Sequence, residues 1–263
     1  MNVRLVLVFA ALSGVARAGS LQPQIDAAAP GATLAIPAGN YDGAIVINKP
    51  LTLIGTGLPT IQGNGKGKVV SIAAQNVTLR GFRIRGSGLA LFDDDAAVFV
   101  TANRAMVENN VIEDSLHGVY LKKASDCRVL NNRIRGKTTI AQESGPIEQG
   151  MGVSPENCDT GTLVANRRGN GIHQWNCERN EIAGNEISEA RDGIYFSFAN
   201  HTRCEGNWIH HVRYGLHYMY SDDNLFTDNT FSENAAGAAQ EVDLDDVHAR
   251  RRVVLALQTV GLR

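Results

Sequence analysis

A fixed step of 22 residues runs through the second half of the chain and leaves few folds open to it. The glycines of Asn170-Gly171-Ile172-His173, Asp192-Gly193-Ile194-Tyr195 and Tyr214-Gly215-Leu216-His217 keep this step, and Gly237 continues it. Asn185, Asn207 and Asn229 keep it as well, with an earlier pair at Asn110 and Asn132. Ile187, Ile209 and Phe231 follow the second-half asparagines by two places. A period of this length means one supersecondary unit stacked on copies of itself.

Within each unit, short apolar-alternating runs such as Gly193-Ile194-Tyr195-Phe196-Ser197 and Glu186-Ile187 are joined by Asn, Gly and Asp turns. No stretch keeps a helical period for long enough to supply a helix per unit. The frame of a leucine-rich repeat is missing. An all-β solenoid remains: a right-handed parallel β-helix in which each coil rises ~4.8 Å onto the next. Ile and Leu then stack inside, and Asn stacks at a tight turn where amides ladder and left-handed backbone is tolerated. The glycine column marks a second turn that needs positive φ or close approach. With 27 glycines, 6% aromatic and 20% charged residues, the composition suits such a turn-dense fold. A net charge of −2 gives no reason to expect a nucleic-acid partner.

Residues 1–18 read as a signal peptide. Arg4 precedes an apolar stretch over residues 5–12, and Ala16-Arg17-Ala18 supplies a small-x-small cleavage site before Gly19. That stretch is too short to span a bilayer, so the reading is an exported periplasmic protein that does not itself span the membrane. Residues 21–29 read as a short helix capping the N-terminal end of the coils, and the β-helix domain is placed at 19–239. Gly118 and Gly171 lie 53 residues apart, nine more than two steps, so an insertion falls within 136–168 and offers a binding loop or a tolerated one. Cys127, Cys158, Cys177 and Cys204 share no column and match no zinc spacing. One or two disulfides, or free buried thiols, are the readings left open.

Three groups of residues carry a family resemblance. The opening Ala29-Pro30-Gly31-Ala32-Thr33, with Pro37-Ala38-Gly39-Asn40-Tyr41-Asp42-Gly43 and Lys49-Pro50-Leu51-Thr52-Leu53-Ile54-Gly55, resembles the start of the NosD family. Arg168-Gly169-Asn170-Gly171-Ile172-His173-Gln174-Trp175-Asn176, Arg191-Asp192-Gly193-Ile194-Tyr195-Phe196 and Arg213-Tyr214-Gly215-Leu216-His217-Tyr218-Met219 are similar to its more specific blocks. The resemblance covers residues 21–239. It implies a non-enzymatic periplasmic β-helix that helps assemble the copper–sulfide centre of nitrous oxide reductase during denitrification. The partners it implies are ABC transporter subunits, nitrous oxide reductase and a copper chaperone lipoprotein. Residues 240–263 depart from the family, whose further coils stand here. They read as a cap, a capping helix for instance, or as a frameshift product, and the chain as C-terminally truncated.

Strand alternation nominates copper ligands on this frame. If Ile172, Ile194 and Leu216 point inward, His173, Tyr195 and His217 form an outward column that Tyr120 extends. Trp175, Ser197 and Met219 form the next. His217 and Met219 then sit ~6–7 Å apart on one face, and imidazole with thioether suits copper. His173 lies two coils away, ~10 Å, too far to share one ion. His210 and His211 are adjacent and are expected on opposite faces unless a bend intervenes. The same aromatic exterior, Tyr120, Trp175 and Tyr195, supports an alternative: a carbohydrate-binding or polysaccharide-modifying β-helix. Such an enzyme needs paired carboxyls or grouped acidic oxygens, and the two acidic runs, Asp93-Asp94-Asp95 and Asp222-Asp223, look like solvated turns. A docking scaffold without ligand chemistry is the third reading.

Overall fold

The computed structural model of the chain describes residues 17–137, 169–241 and 254–259. Its strands all pair in parallel and stack coil on coil into a β-solenoid of about eight turns. Ile45–Ile47, Val70–Ile72, Ala96–Val100, His117–Lys122, Ile172–Glu178, Asp192–Asn200, Tyr214–Met219 and Ala236–Glu241 form an eight-stranded sheet. The other strands form two further ladders, which the continuous strand Leu225–Ser232 joins at the C-terminal end. Tyr120 registers with His173 and Val119 with Ile172 across the 53-residue interval, so stacking resumes in phase.

The interior follows from the register. Ile45, Val70, Val98, Val119, Ile172, Ile194 and Leu216 are successive partners, each at most 3% exposed. Burying one such side chain contributes roughly 1.5–3 kcal/mol, so the column is a continuous core in a chain whose turns supply little.

Two of the repeating columns do different work from that expected. The asparagines do ladder. Asn207 Oδ1 accepts from the backbone N–H and the side-chain amide of Asn185 at 3.0 and 2.9 Å, while its own amide donates to Asn229 Oδ1 at 2.8 Å and to the Ile182 carbonyl. Asn110 and Asn132 repeat the pattern, and the five residues are each 1% exposed. The left-handed residue, however, is the one before each asparagine: Asn109, Asn131, Gly184, Gly206 and Asp228 have φ between 51° and 64°. The asparagine is thus buried to bind and its neighbour makes the turn. The glycine column is a matter of close approach alone, with no positive φ. A Cβ at Gly171, Gly193 or Gly215 would lie 2.2–2.3 Å from Ile187, Ile209 or Phe231 respectively. The apolar residues two places after each asparagine press into this column, which accounts for the shared period.

Residues 22–27 form the short helix expected near the N-terminus, burying Ile25. At the other end, Val254–Thr259 is a strand on Leu225–Ser232, where a capping helix was one expectation. Arg17 and Ala18 pair with Asn40 and Tyr41; residues 1–16, like most of the predicted insertion and Cys158, lie outside the described residues. Cys127, Cys177 and Cys204 are buried free thiols. Burial pushes all three thiols up, Cys127 to about 11, so they are unreactive core residues rather than ligands. Among the described residues no helix is long and apolar enough to cross a membrane.

Candidate functional site

The outward columns nominated from strand alternation exist. Phe99, Tyr120, His173, Tyr195 and His217 are successive register partners, as are Lys122, Trp175, Ser197 and Met219. They do not form an open surface. Tyr120 and Met219 are each 5% exposed and His217 is 7% exposed, with His173, Trp175 and Tyr195 half-buried. The reason is stacking: at coil spacing, rings in one column fall within contact of each other. Tyr120 and His173 stack at 4.3 Å with planes 8° apart, and Tyr195 packs against His173 and His217 at 4.6 Å each. Ring faces proposed for sugar are therefore spent on neighbours. Trp175 is faced by the ammonium groups of Lys122 and Lys123 at 5.4 and 5.3 Å.

A second polar column, absent from the sequence-based expectations, runs beside the first and supplies the Nδ1 partner of each histidine. His117, Asn170, Asp192 and Tyr214 precede or begin the strands that carry Tyr120, His173, Tyr195 and His217. Asp192 is wholly buried. Arg213 reaches it through Nε at 2.9 Å and through a second guanidinium nitrogen at 3.0 Å, Arg191 Nε at 3.1 Å and His217 Nδ1 at 3.0 Å. Burial alone would raise this carboxyl; the His217 hydrogen bond and the two guanidinium groups outweigh it and hold Asp192 down at about 2. An ionised carboxylate only accepts, so His217 Nδ1 is the donor of this pair.

The upstream histidines are held the other way round. The Asn170 backbone N–H donates to His117 Nδ1 at 3.0 Å, and the Asn170 side-chain amide lies 3.3 Å from His173 Nδ1. With Nδ1 accepting from a backbone N–H, neutral His117 carries its proton on Nε2. Burial, reinforced for both by Arg191, pushes His117 down to about 3 and His173 well below the usual histidine range, so both are neutral at neutral pH. The 22-residue offset between Arg191 and Arg213, flanking Asp192 and Tyr214, was the available signal for this column; nothing in it announced burial.

His210 and His211 belong to a different face, on and just after the strand Trp208–His210. The bend that would bring them to one side does intervene. His211 has φ 54°, and this left-handed bend swings the two rings together, Nδ1 to Nδ1 at 2.7 Å. Their Nε2 atoms point apart, that of His210 to Glu186 at 3.7 Å and that of His211 to Glu233 at 2.6 Å. The result is a linear chain of groups with no convergent donors. Among the described residues no group of three His, Cys, Asp or Glu side chains is arranged to hold a metal.

His217 with Met219 is what remains as a soft donor pair. Both side chains leave the same face of Tyr214–Met219, and both are under cover. Tyr195 packs its ring on the imidazole, as Tyr214 does at 5.3 Å, and the Tyr195 hydroxyl donates to Met219 Sδ. One imidazole nitrogen and one thioether suit a cuprous ion, which accepts few, soft ligands; they do not satisfy a hard divalent cation. The acidic runs fit no paired-carboxyl chemistry. Asp94 and Asp223 have φ 56° and 53° at turns, and pair with Lys122 and His201.

The family model described as periplasmic copper-binding protein (NosD) matches residues 153–246, and that described as a protein of unknown function (DUF1565) matches residues 38–177. A probable ABC transporter binding protein NosD from Pseudomonas aeruginosa is 30% identical over 160 residues, 60% of this chain and 32% of that protein. The protein of the same description from Stutzerimonas stutzeri is 31% identical over 60% of this chain and 31% of its own length. The chain thus spans about a third of the length of these curated relatives. An alginate lyase from Paenibacillus shares the fold, with a TM-score of 0.61 at 16% identity over 80% of this chain and 72% of that one. At that identity the likeness is one of fold alone. The chain belongs to the DUF1565 family, whose model spans more than half of it, and over residues 153–246 it is similar to the NosD family.

Proposed function

We propose that this chain is a periplasmic binding protein, not an enzyme, that handles copper during assembly of the copper–sulfide centre of nitrous oxide reductase. In this reading it works with ABC transporter subunits, receives copper from a chaperone lipoprotein and serves nitrous oxide reductase as client. Residues 1–18 would direct export, with cleavage after Ala18. Copper is cargo here rather than a resident cofactor.

The observation that carries the reading is the Asp192–His217–Met219 arrangement. A buried carboxylate accepts from His217 Nδ1 and orients the imidazole, and a thioether stands two residues on along the same strand face. Carboxylate support of this kind orients metal-binding imidazoles and raises their basicity. The NosD relatives named as binding proteins, and the copper-binding description of the family model, support the same conclusion.

The test is competition with a chromogenic Cu(I) chelator, comparing the wild-type chain with a His217→Ala/Met219→Ala variant. Loss of Cu(I) retention in the variant is expected. Equal retention by both proteins would remove the site from consideration.

A further inference from the structure

We propose that Tyr195 gates the His217–Met219 pair, its hydroxyl holding the thioether until a soft cation displaces it. The proposal rests on the copper reading of that pair and adds a residue that controls access to it.

The geometry behind it is specific to this coil. Tyr195 is the direct register partner of His217, and Ser197 that of Met219. Straight stacking would place the phenol over the imidazole only. Ser197 is too small to cover Met219, and Tyr195 leans across the strand so that its hydroxyl reaches the sulfur while its ring stays 4.6 Å from His217. One side chain therefore touches both donors. His173 on the far side of the ring, again at 4.6 Å, and the Arg191 guanidinium at 5.8 Å back it in this position. Met219 is 5% exposed and His217 7%, whereas Tyr195 is half-buried, so the phenol is more accessible to solvent than either donor.

The chemistry sets the competition. A phenol O–H donates to a sulfur lone pair, and a cuprous ion needs electron density from the same atom. A neutral phenol oxygen is a hard donor and a poor substitute for the thioether. Metal entry thus requires the O–H···S contact to open and the ring to swing off the imidazole. In the metal-free protein the closed contact also shields the sulfur from conversion to sulfoxide, which would end its use as a soft ligand.

Tyr195→Phe keeps the ring and removes only the hydroxyl, so it separates the two roles. The first measurement needs no copper: graded hydrogen peroxide, followed by peptide mass spectrometry of the Met219 sulfoxide, with Met106 as internal reference. Several-fold faster oxidation of Met219 in the variant, with Met106 unchanged, is expected. The second is the Cu(I) competition assay, in which the variant should bind about fivefold more tightly, the size of one neutral hydrogen bond no longer opposed. An unchanged Met219 oxidation rate overturns the gate, and so does weaker Cu(I) binding, which would make the phenol a support. Faster oxidation with no Cu(I) binding by either protein keeps the gate and rejects the copper reading.

Discussion

At the scale of single residues, the histidines of this chain differ by the partner of Nδ1. His117 and His173 accept there from Asn170, while His217 donates to Asp192. Identical side chains in neighbouring columns are thereby held at Nδ1 by partners of opposite hydrogen-bonding character. Asp192→Asn tests this directly. An amide cannot balance Arg191 and Arg213, and it no longer compels Nδ1 to donate. Cu(I) affinity is expected to fall by roughly 10–100-fold, the usual effect of losing an imidazole's carboxylate support, while the Met219 side chain is untouched. Chelator competition measures it. Affinity equal to wild type would leave Asp192 a structural residue only.

At the scale of the element, each coil turn from Asn110 to Asn229 is held by an amide that belongs to the next turn as much as to its own. Asn207 satisfies the Asn185 backbone N–H and the Asn185 amide, and itself donates to Asn229 and Ile182. Asn207→Ala leaves several of these groups buried without partners. At ~1–3 kcal/mol for each unsatisfied group, destabilisation of at least about 2 kcal/mol is expected in a denaturant titration. The neighbouring Gly206, with φ 61°, keeps the turn itself. Ladder positions were legible in the sequence because the step of 22 repeats without error from Asn185 to Asn229. The division of labour between Asn and the left-handed residue before it was not, since Asn, Gly and Asp all serve in turns. The meeting of His210 and His211 was hidden for the same reason: alternation assumes extended backbone, and a left-handed residue breaks it.

At the scale of the whole molecule, buried charge makes the fold sensitive to acid in two stages. His117 and His173 have their protonation opposed by burial and by Arg191, His117 down to about 3. Their contribution is complete above the unfolded histidine value of about 6.5 and is lost as pH falls below it toward the folded value. Asp192 is held at about 2, so the stability it contributes is present above about pH 4 and lost as pH falls through 2. Urea midpoints are therefore expected to decline from about pH 6.5 downward and more steeply below about pH 4. A His117→Phe/His173→Phe variant should flatten the first stage and keep the second. A midpoint independent of pH between 7 and 4 would contradict the buried neutral histidines.

The 22-residue period by itself determined the solenoid, the inward Ile172–Ile194–Leu216 column and the sharing of a face by His217 and Met219. Parallel in-register stacking turns equal spacing in sequence into adjacency in space, so any residue that keeps the step has its column written in advance. Whether a column lies open or covered, and which nitrogen of an imidazole carries the proton, only the tertiary structure decided. Those properties depend on how far a ring such as Tyr195 leans into the next coil and on which group of Asn170 or Asp192 comes within 3 Å. Periodicity carries the position of a side chain but neither its tilt nor the direction of its hydrogen bonds.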